Sequence, residues 1–526
     1  MSIRPDDLPR NVDDLQALAL AQAARIEVLE TSLKTLHALI FGARSERKSV
    51  ILDNQMDLDL GDLDLGDLAG AAPPPAANDD DPSRAEGKRP RTSANRNVGR
   101  LPNWLQRIEK VIEPHSKACP CCSGQLHRIG EDVSELLDVV PAVLRVLRLI
   151  RPKYACRACQ EGVVQAPAPP RALTGGMATT RLMAQVAVAK FAWNLPLNRQ
   201  AQMLAGQGVR LDRSTLARWI KTVAWWVRPL YERQLQAIHS HPRIFCDETR
   251  MPVRRKGKKT THTGQFWTHA SDDRPWNGPA PPAVVYVYAE GRGHKEIRGQ
   301  LAGFQGLVQV DGYAGYNGLT GKGRQPGPIT LAFCLAHARR KFTDLHKQTG
   351  SAFTAEVIER FGKIYAIEAE IRDTSAAERL AVRQARSAPL MAELKSFLEA
   401  QLSGLSNKAR PAKAIRYVLG HWSGLTLFLE DGRLEVDTNT VERNMRTIAL
   451  GRRNSLFAGN DGGAESWAVL ASLLSTCKLN EVDPFTWLDD VLEQMVSGEV
   501  KACDLDRLLP WNWKVARAAD KQAIPA

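Results

Sequence analysis

The sequence lacks any long apolar run: none approaches the roughly 20 consecutive apolar residues that a membrane-spanning helix needs. The N-terminus, MSIRPDDLPRNVDD, has no apolar core of the kind found in a secretory signal. We therefore expect a cytoplasmic protein with no membrane partner. In that compartment the nine cysteines are expected to serve as thiols or metal ligands rather than as disulfides.

Acidic residues are also too few to balance the basic ones. The chain has 71 Lys and Arg against 58 Asp and Glu, a net charge of +13, and a pI of about 9.4. This excess favours a polyanionic partner, with nucleic acid first and an acidic membrane surface second. With 526 residues, 44% of them hydrophobic, the chain is long enough for three or four globular domains.

An apolar heptad seam runs through the N-terminal segment, residues 12–47, and predicts a coiled coil. Its spacing alternates four and three residues, and one polar position, Gln22, can fix the register at some cost in stability. The alternative is a single amphipathic helix packed on its own domain. The seam consists of Leu15, Ala19, Gln22, Ile26, Leu29, Leu33, Leu36 and Ile40.

Low-complexity sequence follows in residues 48–105, which we expect to form a flexible linker. Its Asp-Leu-Gly repeat, Met56–Leu68, lacks the spaced ligands of an EF-hand calcium loop. Its basic half, Arg84–Arg100, could contact DNA phosphates, although a charge run is more often only solvated.

Two Cys-x-x-Cys pairs in residues 106–172 predict a zinc module resembling a zinc ribbon. Cys119, Cys122, Cys156 and Cys159 can close a tetrahedral site, and the strand-like stretch LLDVVPAVLRVLRLI between the pairs could form its hairpin. A site closed by four protein ligands leaves no position for catalysis, so this zinc would be structural. Three further side chains stay open as substitutes or competitors: His115, Cys121 and His127.

Residues 173–238 read as helices and include a possible helix-turn-helix, with QAQMLA before a glycine turn and LARWIKTVAWWV after it. Asp212 or Ser214 would cap the second helix. A plain helical hairpin is an equally good interpretation. We expect Arg213, Arg218 and Lys221 to face DNA, and Trp219, Trp225 and Trp226 to lie in the core.

Three carboxylates mark a candidate catalytic centre. Asp247 and Glu248 lie in RIFCDETRMPV, and since side chains alternate along a strand, we expect only Asp247 to face the site. Asp311 follows the apolar strand Gly306–Val310, and Glu442 lies at the start of a helix. Such a set suits a pair of Mg²⁺ or Mn²⁺ ions, which can activate an attacking oxygen and stabilise a leaving one.

Each carboxylate also has a structural alternative. Asp247 could simply end a strand, and Asp311-Gly312 is a common turn dipeptide. Asn439–Glu442 fits a helix capping box, with the glutamate at the third helical position. The order and setting of all three carboxylates together favour the metal site.

The pattern of elements in residues 239–465 predicts an α/β core with a mixed sheet flanked by helices, the ribonuclease-H-like arrangement. Besides the strands already named, Gln265–Ala270, Ala283–Ala289 and Ile329–Cys334 read as strands. A helical insertion, residues 343–436, would interrupt this core before Glu442. Helices are expected in residues 466–500, followed by a weakly ordered tail, 501–526, where Trp511 and Trp513 could dock.

Several motifs in order resemble the insertion-sequence 66 family of transposases: CDETRMPV, LVQVDGYAGYN, CLAHARRKF, IRYVLGHW and DTNTVERNMR. FGARSE and the paired Cys-x-x-Cys motifs resemble it too, so the resemblance covers about residues 15–495. It implies an Asp-Asp-Glu transposase that uses Asp247, Asp311, Glu442 and two divalent ions. Thr438 departs from the asparagine usual there; we expect it not to touch the glutamate.

The resemblance also implies partners: the terminal inverted repeats of an element, target DNA, and accessory proteins from the same element. The heptad seam adds a second copy of the chain. Cys334-x-x-His337 resembles a signature of related transposases, and Trp422 resembles a tryptophan that supports a flipped base. Cys334 and His337 alone cannot complete a zinc site, so their expected role is structural or close to DNA. The proposed DNA-contacting residues of the core are His337, Arg339, Arg340, Trp422, Arg443, Arg446, Arg452 and Arg453.

Three other functions compete with transposition. A catalytically silent, transposase-derived regulator predicts loss of one carboxylate, whereas all three are present. A metal-dependent nuclease that cuts without joining would use the same carboxylates. A coiled-coil adaptor with a zinc module leaves residues 240–490 without a role.

Overall fold

The computed structural model describes residues 144–155, 163–255 and 260–523. They belong to the second of two units into which the chain divides, Pro141–Ala526. The predicted coiled coil, the linker and the four cysteines of the zinc module, Cys119, Cys122, Cys156 and Cys159, lie outside the described residues.

Seven strands form two sheets in the described residues. β1 (Lys153–Ala155) and β2 (Val163–Gln165) make a short antiparallel pair. The larger sheet has the order β5-β4-β3-β6-β7. β3 pairs antiparallel with β4, which pairs antiparallel with β5, while β3, β6 and β7 run parallel. Its strands are β3 (Arg243–Arg254), β4 (Thr261–Ser271), β5 (Ala283–Ala289), β6 (Gly306–Val310) and β7 (Ile329–Phe333).

The central strands are buried on both faces rather than on one. β4 is buried continuously from Gly264 to Ser271, and β3 is buried through Ile244, Phe245 and Cys246. A sheet with this pattern must be covered by other elements on both sides. The mixed sheet with flanking helices that the sequence predicts is therefore confirmed.

Five helices accompany these strands. The longest, α3, buries Leu216, Trp219 and Val223 in the hydrophobic core that it shares with the sheet. Trp219 lies in the core as expected, but the prediction for Trp225 is wrong, because that side chain is 66% exposed. Asp212 precedes α3 without a capping side-chain bond. The helices are α1 (Thr180–Phe191), α2 (Leu197–Gly206), α3 (Arg213–His239), α4 (His294–Gln300) and α5 (Leu335–Thr349).

A second hydrophobic core lies among the helices between β7 and Glu442. Phe342, Phe361, Leu394 and Val418 are fully buried there. The buried Arg383 guanidinium pairs with Glu368 at 2.7 Å, which compensates a charge that would otherwise be costly in this core. The helices are α6 (Ala352–Glu370), α7 (Ala376–Val382), a π turn (Arg383–Ser387), α8 (Ala388–Ser403), α9 (Arg410–Gly420) and α10 (Trp422–Leu425).

Four helices complete the described chain: α11 (Asn439–Ser455), α12 (Asp461–Leu479), α13 (Pro484–Ser497) and α14 (Pro510–Ala523). The expectation of a weakly ordered tail is wrong. The indole of Trp513 donates to Asp490 at 2.7 Å, and that of Trp487 donates to the Leu508 carbonyl at 2.9 Å, so the tail packs on α13. Among the described residues, no helix has the length and apolar character needed to cross a membrane.

Helices α3 and α12 cover the outer edge of β5 with polar side chains. The backbone N–H of Tyr286 donates to the Ser472 hydroxyl at 2.8 Å, and that of Val284 donates to the Thr476 hydroxyl at 3.1 Å. The Gln234 amide donates to the Val284 carbonyl at 2.8 Å. Backbone groups that would be unpaired at a sheet edge are thus satisfied within the chain.

At the opposite edge, α10 lies directly on β7. A Cβ added to Gly424 would stand only 2.8 Å from the Leu331 carbonyl oxygen, so this close approach requires glycine. Both edges of the sheet are therefore covered by helices, and α10 ties the inserted helices to the strand beside β6.

Candidate active site

Strand register places Asp247 and Asp311 next to each other. Phe245 of β3 is the parallel partner of Gln309 in β6. Asp247 and Asp311 each lie two residues further on, where β6 has ended. Since neighbouring strands lie about 4.8 Å apart, this register places the two residues close together at the same end of the sheet.

Asp247 is buried with its carboxylate among other negative charges. The side chain accepts a hydrogen bond from the Glu248 backbone N–H at 2.7 Å. Burial raises the pKa of Asp247 well above its ordinary range, and repulsion from Asp311, Glu248 and Glu442 raises that pKa further. Asp311 and Glu442, the other two predicted site carboxylates, therefore lie close enough to act electrostatically on Asp247.

Asp311 is held by its own loop and by an inserted helix. Its carboxylate accepts from the Tyr313 backbone N–H at 2.8 Å, which fixes the side chain above the end of β6. Its carbonyl accepts from the Tyr417 hydroxyl at 3.1 Å. Between them, Gly312 has φ +97°, and a Cβ there would stand 2.7 Å from the same hydroxyl, so both the backbone and the space require glycine.

Glu442 lies in the first turn of α11 and points to the same region. The capping-box alternative is wrong, since Thr438 is the N-cap residue and the Asn439 backbone N–H donates to Asp437 at 3.0 Å. The Thr438 hydroxyl donates instead to the Glu442 carboxylate at 3.1 Å. The expectation that Thr438 does not touch the glutamate is therefore also wrong, because its short side chain reaches one helical turn forward.

The start of α11 is joined to the start of α5. The Leu335 backbone N–H donates to the Val436 carbonyl at 2.9 Å. His337, also in α5, has Nδ1 3.8 Å from Oε1 of Glu442. Burial lowers the pKa of His337, while the negative charges of Glu442 and Asp311 raise it. The carboxylates of the candidate site therefore act electrostatically on this imidazole as well.

A fourth carboxylate, Glu248, belongs to the other face of β3, as the alternation predicts. It pairs with Arg292 at 2.6 Å and accepts from the buried Tyr316 hydroxyl at 3.2 Å. Burial and the charge of Asp311 raise the pKa of Glu248, whereas Arg292 lowers it. The Tyr313 hydroxyl donates to the Arg292 carbonyl at 3.0 Å, which connects this pair to the Asp311 loop.

Sequence reasoning missed the side chains that the inserted helices bring to the site. Tyr417 and His421 are four residues apart, so they share one face of α9 and its end. His421 Nδ1 lies 2.7 Å from the Tyr417 carbonyl oxygen, and the His421 ring packs edge-on against Phe333 of β7 at 4.8 Å. The IRYVLGHW motif contained both residues, but its sequence gave no sign that Tyr417 contacts Asp311 or that His421 lies beside Gly312.

The proposed DNA-contacting residues occupy several helices. On α3, Arg213, Arg218 and Lys221 are all exposed, and on α5 Arg339 is exposed while Arg340 is half-buried. These positions leave guanidinium and ammonium groups at the surface, where phosphate contacts are made.

Helix α11 carries the other basic residues. Arg443, Arg446 and Arg453 are exposed, but the half-buried Arg452 binds the Arg250 carbonyl of β3, which gives it a structural task.

Trp422 begins α10 and is half-buried against the second core, with the Lys395 ammonium 5.9 Å from the ring centroid. This packing holds the indole in the insertion. A ring supported in this way can still offer its remaining surface to a ligand.

The three predicted site carboxylates have the chemistry needed to bind divalent metal ions. Asp247, Asp311 and Glu442 offer only oxygen, the ligand type that Mg²⁺ and Mn²⁺ prefer. Burial raises the pKa of Asp247, and repulsion from the neighbouring carboxylates raises it further. A bound cation would relieve that repulsion.

Comparisons with known families give a consistent assignment. The "Transposase IS66 family" matches residues 175–466, and the "IS66 C-terminal element" matches residues 472–511. The "zinc-finger binding domain of transposase IS66" matches residues 116–160, and "Transposase C of IS166 homeodomain" matches residues 28–109. These matches define the class as transposases, proteins that process DNA. The chain belongs to the IS66 family of transposases.

Relatives of similar length occur in Sinorhizobium fredii (strain NBRC 101917 / NGR234). The uncharacterized protein y4jD is 52% identical over 518 residues, 98% of each chain. The uncharacterized protein y4qI is 38% identical over 540 residues, covering 97% of this chain and 98% of the relative. The predicted family is confirmed. Family membership implies DNA binding, a divalent metal in the core and zinc in the N-terminal half.

Proposed function

We propose that this protein is an Asp-Asp-Glu transposase that cleaves DNA at the ends of an insertion element and joins those ends to target DNA. The observation that carries the proposal is the placement of Asp247 beside Asp311, with Glu442 acting on the same buried charge. A nonenzymatic DNA-binding protein has no use for such costly electrostatics, because repulsion among buried carboxylates destabilises the fold.

The sheet supports a ribonuclease-H-like core. Its order, β5-β4-β3-β6-β7, combines three consecutive antiparallel strands with two parallel ones. In this arrangement β3 and β6 are adjacent and present their carboxylates together. The inserted helices, which we assign to residues 343–436, separate this sheet from the helix that carries Glu442.

Two Mg²⁺ or Mn²⁺ ions, when bound, would activate the attacking oxygen and stabilise the leaving oxygen of the phosphodiester. Asp247, Asp311 and Glu442 would hold them. Hydrogen bonds from Tyr313 to Asp311 and from Thr438 to Glu442 orient two of these carboxylates in advance. Such orientation reduces the reorganisation needed during the reaction.

The basic side chains would hold the DNA backbone beside these carboxylates, largely without reading sequence. Recognition of the terminal inverted repeats falls, in this proposal, to the zinc module of Cys119, Cys122, Cys156 and Cys159 and to the helices of residues 173–238. We also propose self-association through the N-terminal seam, accessory proteins from the same element, and action in the cytoplasm on nucleoid DNA.

The test is the variant Glu442→Gln, which removes one negative charge and keeps the shape of the side chain. In magnesium it should bind element ends with an unchanged salt dependence and neither cleave nor join them; Asp247→Asn and Asp311→Asn should behave alike. The salt dependence persists because it reflects phosphate contacts, not the carboxylates. Near-normal cleavage by Glu442→Gln would falsify its assignment.

The matched control is Glu393→Gln, which makes the same change at an exposed carboxylate of α8, 64% accessible. It should retain both activities. A strand-transfer assay with labelled element ends separates the two alternatives that remain. A nuclease releases cut ends without joined products, and a silent regulator gives neither product in the unsubstituted protein.

A further inference from the structure

The carboxylate of Glu442 also belongs to a second group of side chains, built from different chemistry. In the part of the chain that the structure describes, one set of three potential metal ligands has all its ligand atoms within 4.8 Å of one another: Cys334, His337 and Glu442. Cys334 is the N-cap residue of α5 and His337 lies in its first turn. Residues three apart there share a helix face, so both can point to one position.

Backbone contacts hold the two helix starts that carry these ligands. The Leu335 N–H donates to the Val436 carbonyl at 2.9 Å, and the Thr438 N–H donates to the Cys334 sulfur at 3.3 Å. Thr438 in turn holds Glu442 at 3.1 Å. Cys334 and Glu442 are therefore held relative to each other through a single residue, Thr438.

The donor types are those of a zinc site rather than a magnesium site. Sulfur, imidazole nitrogen and carboxylate oxygen together suit Zn²⁺, whereas Mg²⁺ takes oxygen ligands. Nδ1 of His337 is buried and has no hydrogen-bond partner, which is costly unless something binds it. His337 and Glu442 keep 22% and 28% of their side chains exposed, so an ion can reach the group from solvent.

The distances are close to what an ion requires. In tetrahedral zinc sites, ligand atoms stand about 3.3–3.8 Å apart, given zinc–ligand distances of about 2.0–2.3 Å. His337 Nδ1 and Glu442 Oε1 are already 3.8 Å apart. The remaining pairs lie within 4.8 Å, so binding requires a contraction of at most about 1.5 Å.

We propose that Cys334, His337 and Glu442 form a Zn²⁺ site that shares Glu442 with the catalytic carboxylates and inhibits the enzyme when it is filled. The Cys334 thiol loses its proton to solvent as the zinc–sulfur bond forms, and water completes the fourth position. Zinc that holds Glu442 withdraws it from the magnesium site. The inhibition rests on the proposed function, but the binding does not.

The binding test compares zinc content in full-length chains dialysed to equilibrium against Zn²⁺. Cys334→Ala should hold one zinc fewer per chain than the unsubstituted protein. Cys477→Ala, which removes another buried thiol, should lose none. His337→Ala provides a second ligand variant, should Cys334→Ala fail to fold. Equal zinc content in the unsubstituted protein and in a folded ligand variant overturns the proposal. The Cys-x-x-Cys module is unchanged in all these proteins, so its zinc cancels.

Co²⁺ gives an independent readout of the same site. Cobalt bound to a thiolate absorbs in the near ultraviolet, and Cys334→Ala should reduce this absorbance per chain while Cys477→Ala keeps it. An unchanged spectrum in Cys334→Ala shows that the sulfur is not a ligand and overturns the site.

The activity test measures DNA cleavage in saturating Mg²⁺ as Zn²⁺ is added, with each protein referred to its own rate without zinc. The unsubstituted protein and Cys477→Ala should be inhibited, and Cys334→Ala should need at least tenfold more zinc. Equal sensitivity overturns the inhibitory role. Absence of any cleavage by the unsubstituted protein would instead count against the proposed function, while the zinc content still decides the site.

Discussion

The Tyr417 hydroxyl donates a hydrogen bond to the Asp311 carbonyl across 3.1 Å, joining an inserted helix to the loop of a candidate catalytic residue. The same hydroxyl lies 2.7 Å from the place where a Cβ on Gly312 would stand. The inserted helices therefore restrict the Asp311 loop directly. Changes to their packing should alter catalysis even where no DNA is contacted.

The first prediction concerns Gly312→Ala. The new Cβ would collide with the Tyr417 hydroxyl. The substitution would also place a non-glycine residue at φ +97°, a conformation that costs about 1–3 kcal/mol. We expect a loss of stability of that order, measured by denaturant unfolding, and a large loss of DNA cleavage. Gly318→Ala, where a Cβ meets nothing within 4 Å, should leave both properties nearly unchanged.

Adding Tyr417→Phe to Gly312→Ala should recover only part of the lost stability. The second change removes the hydroxyl from the collision but leaves the strained backbone. Full recovery would show that the positive φ at position 312 does not contribute to the loss of stability.

The second prediction concerns Asp247→Asn and pH. Burial and neighbouring carboxylates raise the pKa of Asp247 in the folded protein well above its ordinary value of 3.8. Its contribution to stability is therefore present below pH 3.8 and lost as pH rises through the folded-state pKa. In buffer without added divalent metal, Asp247→Asn should be more stable than the unsubstituted protein at pH 7, by about 1.4 kcal/mol per unit of pKa difference.

Denaturant unfolding at several pH values measures this difference, which should shrink as pH falls toward 4. Asp504→Asn, at an exposed carboxylate, is the control for losing one negative charge. A difference that grows on acidification contradicts the account. Added Mg²⁺ should stabilise the unsubstituted protein and not Asp247→Asn, because only the former keeps the full carboxylate set.

The third prediction concerns Arg292→Met. The substitution leaves the Glu248 side chain, which is only 2% exposed, without its cationic partner. The Arg292 side chain is 44% exposed, so solvent screens the ion pair and reduces the cost of breaking it. We expect a loss of about 1–2 kcal/mol at pH 7, less than the roughly 3–5 kcal/mol for breaking a fully buried pair, because one partner is half-exposed. Glu248→Gln added to Arg292→Met should restore most of it, because the neutral amide needs no cation.

The penalty of Arg292→Met should also depend on pH. Arg292 lowers the pKa of Glu248, so its removal raises that pKa further. The penalty should disappear at pH values where Glu248 is protonated in both proteins. A penalty independent of pH and of Glu248→Gln would mean that Arg292 acts through packing on Tyr313, whose ring centroid is 4.1 Å from the guanidinium.

The fourth prediction concerns self-association through Leu15–Ile40, which lies outside the described residues. Replacing Leu29 and Leu33 by Asn should weaken association at least tenfold, since each buried leucine contributes about 1.5–3 kcal/mol. Analytical ultracentrifugation measures the change, and Thr31→Asn, between seam positions, is the control. If removal of residues 1–48 leaves association as strong, the seam has another use.

Local pattern was enough to predict the strands that carry the site. Ala283–Ala289 and Gly306–Val310 form strands with the predicted bounds, because β-branched and aromatic runs between turn residues have few alternatives. The alternation of side chains also gave opposite faces to Asp247 and Glu248. The register that sets Asp247 beside Asp311 required the structure, since pairing between distant strands leaves no local pattern.

Other features depended on tertiary contacts that the sequence does not display. Trp225 follows Ala224 in an apolar stretch, yet it points to solvent because the buried stripe of α3 passes through Val223 and Val227. Thr438 reaches Glu442 only because α11 begins one residue earlier than the capping motif predicts. The contact of Tyr417 with Asp311 joins residues 106 positions apart.

The covering of β5 by Ser472 and Thr476 has a consequence for how copies of this protein can meet. A strand whose outward N–H groups already bind hydroxyls cannot accept a neighbouring strand, so the sheet cannot grow into a continuous structure between molecules. Ser472→Ala together with Thr476→Val would leave those buried N–H groups without a hydrogen-bond partner, which should lower the stability of the fold. Association of the intact protein is thereby left to surfaces outside the sheet, where it does not disturb the strands that carry Asp247 and Asp311.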